Sequence, residues 1–307
     1  MPNVKANGIQ IEYDTFGNPA DEPLLLIMGL GSQMILWHED LCRMFAEHGH
    51  YVIRFDNRDV GLSSKIEEAG IPDVMAIITA IMERRPIEAP YTLDHMADDA
   101  VGLLDALRID RAHVCGASMG GMIAQTVAIR HPRRVKSLVS IMSTTGDPSL
   151  PPAKADAMAF LITPPPQDRD GLIEHSVKLW RTIGSPGFPF DEEFIRERSA
   201  QLYDRCFYPQ GQVRQLAAIL AHGSRRDRLK DVRIPTLVIH GIDDPLVPVE
   251  GGKDTAAHIE GAELMLVEGM GHDNPRQVWP RAVEAITALT RRAARAEAEL
   301  KAVPAAS

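Results

Sequence analysis

The sequence predicts an α/β protein: a mostly parallel central sheet flanked by helices, with a helical segment inserted late in the chain. Three observations predict it. Short apolar runs alternate with helical stretches, one long proline-bearing stretch breaks that alternation, and an apolar share of 45% in 307 residues suffices for a large core.

The apolar runs are Ile9 to Tyr13, Leu24 to Met28, Tyr51 to Phe55, Ala112 to Cys115, Val135 to Ile141, Thr236 to His240 and Ala262 to Val267. Turn residues at Asn7-Gly8 and Phe16-Gly17 surround the first run and leave room there for an antiparallel edge. Helical spacing is clearest from Leu93 to Leu107, where Met96, Ala100, Leu103, Leu104 and Leu107 fall on one face. Asp98, Asp99 and Asp105 mostly lie off that stripe, which assigns them to solubility and to the helix dipole. From Gly146 to Lys230 the chain carries a Pro164 to Pro166 run, two further proline-rich turns and no convincing central strand, so a separate helical subdomain is expected. Ile234-Pro235 restarts the strand pattern. The tail from Arg291 onward reads as an Ala, Arg and Glu helix that ends in disorder signals.

A formal charge of −9 and a pI near 5.7 supply no basic field for nucleic acid or anionic lipid. The N-terminus has no basic segment followed by an apolar stretch, and nowhere do about 18 apolar residues run together, so a cytoplasmic protein that does not enter membranes is expected. Cys42, Cys115 and Cys206 are odd in number and form no C-x-x-C unit, which points to buried free thiols rather than zinc or disulfides. No P-loop and no H-E-x-x-H occurs, and Gly29-x-Gly31 lacks the third glycine of a dinucleotide fingerprint, so no cofactor and no metal is implied. Monomer and homodimer both remain open.

Gly116-Ala117-Ser118-Met119-Gly120 fits G-x-S-x-G and lies between the apolar run Ala112 to Cys115 and the helical run Met122 to Arg130. Strand, tight turn and helix are the context of a nucleophile elbow, whose small flanking residues, Gly116, Gly120 and Gly121, let strand and helix approach. A serine hydroxyl is a poor nucleophile at neutral pH, so a base and its orienter are required further along the chain. His240-Gly241-Ile242-Asp243-Asp244-Pro245 ends one strand run with an acidic turn, and Glu268-Gly269-Met270-Gly271-His272-Asp273 ends the next with a glycine-flanked histidine. Both positions lie past the carboxyl end of a strand, where a parallel sheet presents reactive groups. The candidates are therefore Ser118 as nucleophile, His272 as general base and Asp244 or Asp243 as the acid.

With these motifs the chain resembles the α/β-hydrolase superfamily from about Asn7 to about Ala288. Asp56-Asn57-Arg58-Asp59-Val60-Gly61-Leu62-Ser63 is similar to the family's D-x-R-G-x-G-x-S loop, with Asp59 where the family usually has glycine. The N-R-D-V-G-L-S form, together with G-A-S-M-G-G and G-M-G-H, is similar to the bacterial branch that includes aclacinomycin methylesterase. The resemblance implies an α/β-hydrolase fold with residues 1–145 and 231–290 as catalytic domain, 146–230 as a helical cap or lid, and 291–307 as a tail. It favours Asp244 as the acid, since Asp244 is third after Gly241 and Pro248 closes that motif. It also implies an oxyanion hole built from the backbone N–H groups of Met119 and Leu30, with Met28 where similar hydrolases carry histidine.

The activity implied is hydrolysis of a small-molecule carboxylic ester through an acyl-enzyme. Lactonase, perhydrolase or acyltransferase chemistry could use the same triad, and a non-catalytic ligand receptor could use the same fold. Aspartate at the elbow, as in epoxide and haloalkane hydrolases of similar fold, is absent. Eight of the chain's 16 Phe, Trp and Tyr lie in the cap: Phe160, Trp180, Phe188, Phe190, Phe194, Tyr203, Phe207 and Tyr208. Some of them are expected to face the substrate pocket, while the cap leaves the triad geometry to the sheet domain.

Overall fold

A computed structural model describes residues 2–83 and 85–302. Eight strands, β1 (Asn3–Ala6), β2 (Ile9–Phe16), β3 (Glu22–Ile27), β4 (His50–Phe55), β5 (Ala112–Ala117), β6 (Val135–Ile141), β7 (Thr236–Gly241) and β8 (Glu263–Val267), form one sheet in the order β1-β2-β4-β3-β5-β6-β7-β8. The helices are α1 (Glu39–Glu47), α2 (Val74–Met82), α3 (Leu93–Ala106), α4 (Met119–Arg130), α5 (Ala155–Ile162), α6 (Arg169–Ile183), α7 (Glu192–Arg205), α8 (Pro209–His222), α9 (Arg226–Leu229), α10 (Val249–Ala257) and α11 (Trp279–Ala302).

β1 and β2 pair antiparallel, and β2 is antiparallel to β4; all later pairings are parallel. The Asn7-Gly8 turn between β1 and β2 carries positive φ at both residues, 47° and 84°, the geometry that Asn-Gly suits. The inner strands are largely apolar because helices cover both faces, and buried Arg54, His113, Ser137 and Ser140 interrupt them. Alternate side chains go to opposite layers: Leu25, Ile27, Val114 and Leu138 pack beneath α3 and α4, whereas Leu24, Leu26, Cys115 and Val139 pack beneath α1 and α11.

Of the stripe expected on Leu93 to Leu107, Met96, Ala100, Leu103 and Leu104 are buried and Leu107 is half-buried, and Thr92 caps α3 through a capping box with His95. One assignment is overturned. Asp99 is buried rather than solvated, because Arg58 reaches it with two hydrogen bonds of 2.6 and 2.7 Å and Asn7 Nδ2 donates a third at 2.8 Å. Asp98 and Asp105 do sit at the surface, paired with Arg130 and Arg134.

Between β6 and β7 the chain forms α5 to α9 and, among the described residues, no strand. α11 begins at Trp279 and so precedes the expected tail helix, while residues 303–307 of that tail lie outside the described residues. Cys42 and Cys115 are buried free thiols, and burial pushes the Cys42 thiol up to about 12; Cys206 is only half-buried. No helix among the described residues is long and apolar enough to cross a membrane.

Candidate active site

Ser118 stands between the end of β5 and the start of α4 with φ 56° and ψ −122°, a conformation that L-residues avoid. The neighbours enforce it. A Cβ on Gly116 would lie 2.0 Å from the Gly120 carbonyl oxygen, so strand and helix meet there only if residue 116 has no side chain. Gly120 meets the backbone of β3 in the same way, 2.1 Å from Ile27 O. The turn is tied down by the Ser118 N–H donating to Ile141 O at 2.9 Å and by Ser143 Oγ donating to Ser118 O at 2.8 Å.

The structure brings the three separated residues together. His272 Nε2 lies 3.0 Å from Ser118 Oγ, and His272 Nδ1 lies 2.7 Å from Asp244 Oδ2. His272 and Asp244 are buried, at 6% and 5% exposure, so their contact is little screened by water. Asp244 Oδ1 accepts the N–H groups of Leu246 and Val247 at 2.9 and 2.8 Å, which leaves Oδ2 for the imidazole. An ionised carboxylate only accepts, so Nδ1 carries the proton and Nε2 is free to accept from the serine. His240, which burial holds below the ordinary histidine value, donates from Nε2 to Val247 O and closes the Asp244 turn. Asp243 points elsewhere: its Oδ2 accepts the Gly269 N–H at 2.8 Å.

Leu30 and Met119 both line the cavity that contains Ser118 and His272. Met119 is the first residue of α4, so its N–H is one of the donors that a helix start leaves without an internal partner. The loop with Leu30 is gripped from two sides. Asn57 Nδ2 donates to Met28 O at 2.9 Å, and the Gly31 N–H donates to Gln215 Oε1 at 2.7 Å. Gln215 in turn donates to Arg58 O at 2.8 Å. The sequence marks Asn57 only as a member of the Asp56 to Ser63 motif and does not mark Gln215 at all, since each acts on a backbone group far along the chain.

The cavity measures about 1180 Å³ and is bounded by the sheet domain below and by α5 to α8 above. All eight cap rings border it. Three of them also form pairs within the cap, Phe160 with His175 and Tyr203 stacked on Phe207 at 5.0 Å. The expected separation of cap and triad is not observed: the His272 N–H itself donates to Ile183 O, at the end of α6, at 2.6 Å. The cap therefore touches the backbone of the candidate base.

Residues 22–275 match the family described as the alpha/beta hydrolase fold. Among curated proteins, rhodomycin D methylesterase DauP of Streptomyces sp. (strain C5) is 30% identical over 94% of this chain and 98% of its own length. 3-Oxoadipate enol-lactonase 2 of Acinetobacter baylyi is 28% identical over 92% and 95%. Among solved structures, a meta-cleavage product hydrolase from Pseudomonas fluorescens IP01 superposes with a TM-score of 0.74 at 19% identity, covering 95% of this chain and 98% of that one. A thermophilic esterase from Thermogutta terrifontis gives 0.70 at 22%, covering 95% and 99%. At those identities the two structures share the fold.

Proposed function

The chain belongs to the α/β-hydrolase fold family, and from that premise we propose a carboxylic ester hydrolase that works through an acyl-enzyme on Ser118. The observation that carries the mechanism is the chain of contacts Ser118 Oγ, His272 and Asp244 at 3.0 and 2.7 Å on the wall of the cavity. Ser118 Oγ attacks the ester carbonyl carbon while Nε2 takes its proton, and Asp244 stabilises the imidazolium. The tetrahedral oxygen accepts from the Leu30 and Met119 N–H groups. Collapse breaks the bond to the alcohol, which leaves with the proton from Nε2. Water, deprotonated by the same nitrogen, then releases the acid and restores Ser118.

Residues 146–230 act as a cap over that site. The cavity exceeds the roughly 300–1,000 Å³ typical of small-molecule sites, and its rings suit a bulky, ring-bearing acid esterified with a small alcohol. The similarity to two rhodomycin D methylesterases supports that class. A lactone is the second reading, supported by the enol-lactonase relative.

The test is turnover of a panel of methyl esters, p-nitrophenyl esters and lactones by the wild type and by Ser118→Ala. The expected result is hydrolysis of esters, highest for bulky aromatic acids, that Ser118→Ala abolishes. A folded protein without turnover or burst on any ester or lactone would leave a ligand receptor instead.

A further inference from the structure

The loop Gly269–Asp273 carries the candidate base, and a loop with glycines at 269 and 271 has no rigidity of its own. From the sheet domain it is held by Asp243, whose Oδ2 accepts the Gly269 N–H at 2.8 Å and whose N–H donates to Met270 O at 3.0 Å. From the cap it is held at four further points, all on the last residue of α6 and the corner that follows it. The His272 N–H donates to Ile183 O at 2.6 Å, the Gly187 N–H donates to Gly269 O at 2.9 Å, and the Gly271 N–H donates to Ser185 Oγ at 2.9 Å. Ser185 Oγ also donates to the carboxylate of Asp273, the residue directly after the base. The two segments are in backbone contact: a Cβ on Gly271 would lie 2.2 Å from Gly184 O, and one on Gly187 2.5 Å from the Gly269 Cα.

We propose that Ser185 and Asp273 are positioning residues, a clasp by which the cap fixes the loop that carries His272. The proposal rests on the assignment of His272 as base to Ser118. Ser185 is the centre of the clasp because one hydroxyl serves both partners, accepting from the loop backbone and donating to the loop side chain. Neither residue touches the reacting atoms; each acts through the placement of the imidazole. A displacement of about 1 Å at a reacting pair can cost on the order of 100-fold in rate, so the effect belongs to kcat and not to binding.

The experiment measures kcat and KM on p-nitrophenyl acetate, together with the rate of covalent labelling of Ser118 by a fluorophosphonate, for Ser185→Ala, Asp273→Ala and Asp273→Asn. Labelling needs the serine and its base but no substrate fit. The alanine variants are expected to lose about 10- to 100-fold in both kcat and labelling rate with KM within about twofold. Asp273→Asn, which keeps an oxygen to accept from Ser185, is expected to stay within about threefold of wild type. Wild-type kcat and labelling rates in the alanine variants, with only a lowered Tm, or a loss confined to KM, would overturn the clasp. Should the alanine variants not fold, Ser185→Cys weakens the same hydrogen bonds in a similar shape and decides by the same readouts. Wild-type protein that is not labelled at Ser118 would defeat the assignment of the site, and the clasp with it; normal wild-type labelling with no slowing in the variants defeats the clasp alone.

Discussion

Ser118 holds its hydroxyl at the cavity wall on a backbone at positive φ, and the two aspartates after β7 show how little separates a candidate acid from a scaffold residue. Asp244 accepts from the imidazole while Asp243 accepts from a loop amide 28 and 26 residues away in sequence respectively. In Asp244→Asn the amide can donate toward Nδ1 and favour the wrong tautomer, so kcat is expected to fall on the order of 10³- to 10⁴-fold. Asp243→Asn keeps an accepting oxygen and is expected to lose less than about 10-fold. Steady-state kinetics on one ester decide; equal losses at the two positions would reverse the assignment. Asp59 makes a different point. It has φ 68°, which suits the glycine that the resemblance implies there, and the aspartate is held here by two hydrogen bonds from Arg214, one from Tyr91 and one from the Ile66 N–H. Restoring the glycine should therefore destabilise: Asp59→Gly leaves the Arg214 guanidinium buried without its carboxylate, at a cost of roughly 3–5 kcal/mol, whereas Asp59→Gly combined with Arg214→Met should recover most of it. Thermal melts of the two variants check this, and a single Asp59→Gly more stable than wild type would refute it.

Among the elements, strands and elbow were the most legible in the sequence, because an apolar run between turn residues has one physical use in a sheet covered on both faces. β5, the Ser118 turn and α4 follow one another in the chain, so their geometry is local and readable. Asp99 was not: whether a carboxylate off the helix stripe meets water or Arg58 depends on where the loop after β4 returns. The cap helices were legible as helices and as ring-rich, but not in the fact that their corner grips the Gly269–Asp273 loop. Two expectations belong at this scale. Because all eight cap rings border the cavity, Trp180→Ala and Phe207→Ala should change the ratio of kcat/KM between short and bulky esters severalfold; a common factor for every ester would make the rings mere support. The second concerns β3, which opens with Glu22. Hydrogen bonding with His113, together with Lys136, outweighs desolvation and holds the Glu22 carboxyl at about 2 rather than 4.5. A depressed carboxyl stabilises the fold above its unfolded value of 4.5, and that contribution is lost as pH falls toward 2. Glu22→Gln should accordingly lower the denaturation midpoint at pH 7 and match wild type near pH 2; a constant difference at both pH values would contradict the pairing.

At the scale of the whole molecule, the cap is joined to the sheet domain by buried polar side chains as well as by apolar packing. Arg205 reaches Asp56 at 2.7 Å, Arg214 reaches Asp59, and Arg225, wholly buried, donates to Gln125 and to Thr144 O while burial lowers it to about 9. These ties and the Ser185 corner enter the sheet domain near the Met28–Ser32 loop, the strand ends and the Gly269–Asp273 loop. Such long-range pairings were illegible in the sequence, since an arginine in a polar helix is ordinarily a surface residue. They bear on how this architecture can be recombined. Transplanting a foreign segment across positions 146–230 would exchange more than a ceiling for the pocket, because the graft would arrive without Ser185 to meet the native Gly271 amide and Asp273. A working chimera has to treat Ile183–Gly187 and Gly269–Asp273 as one inherited unit, donated or retained together, and a family that diversifies by swapping caps would be expected to carry those two short segments as a matched pair.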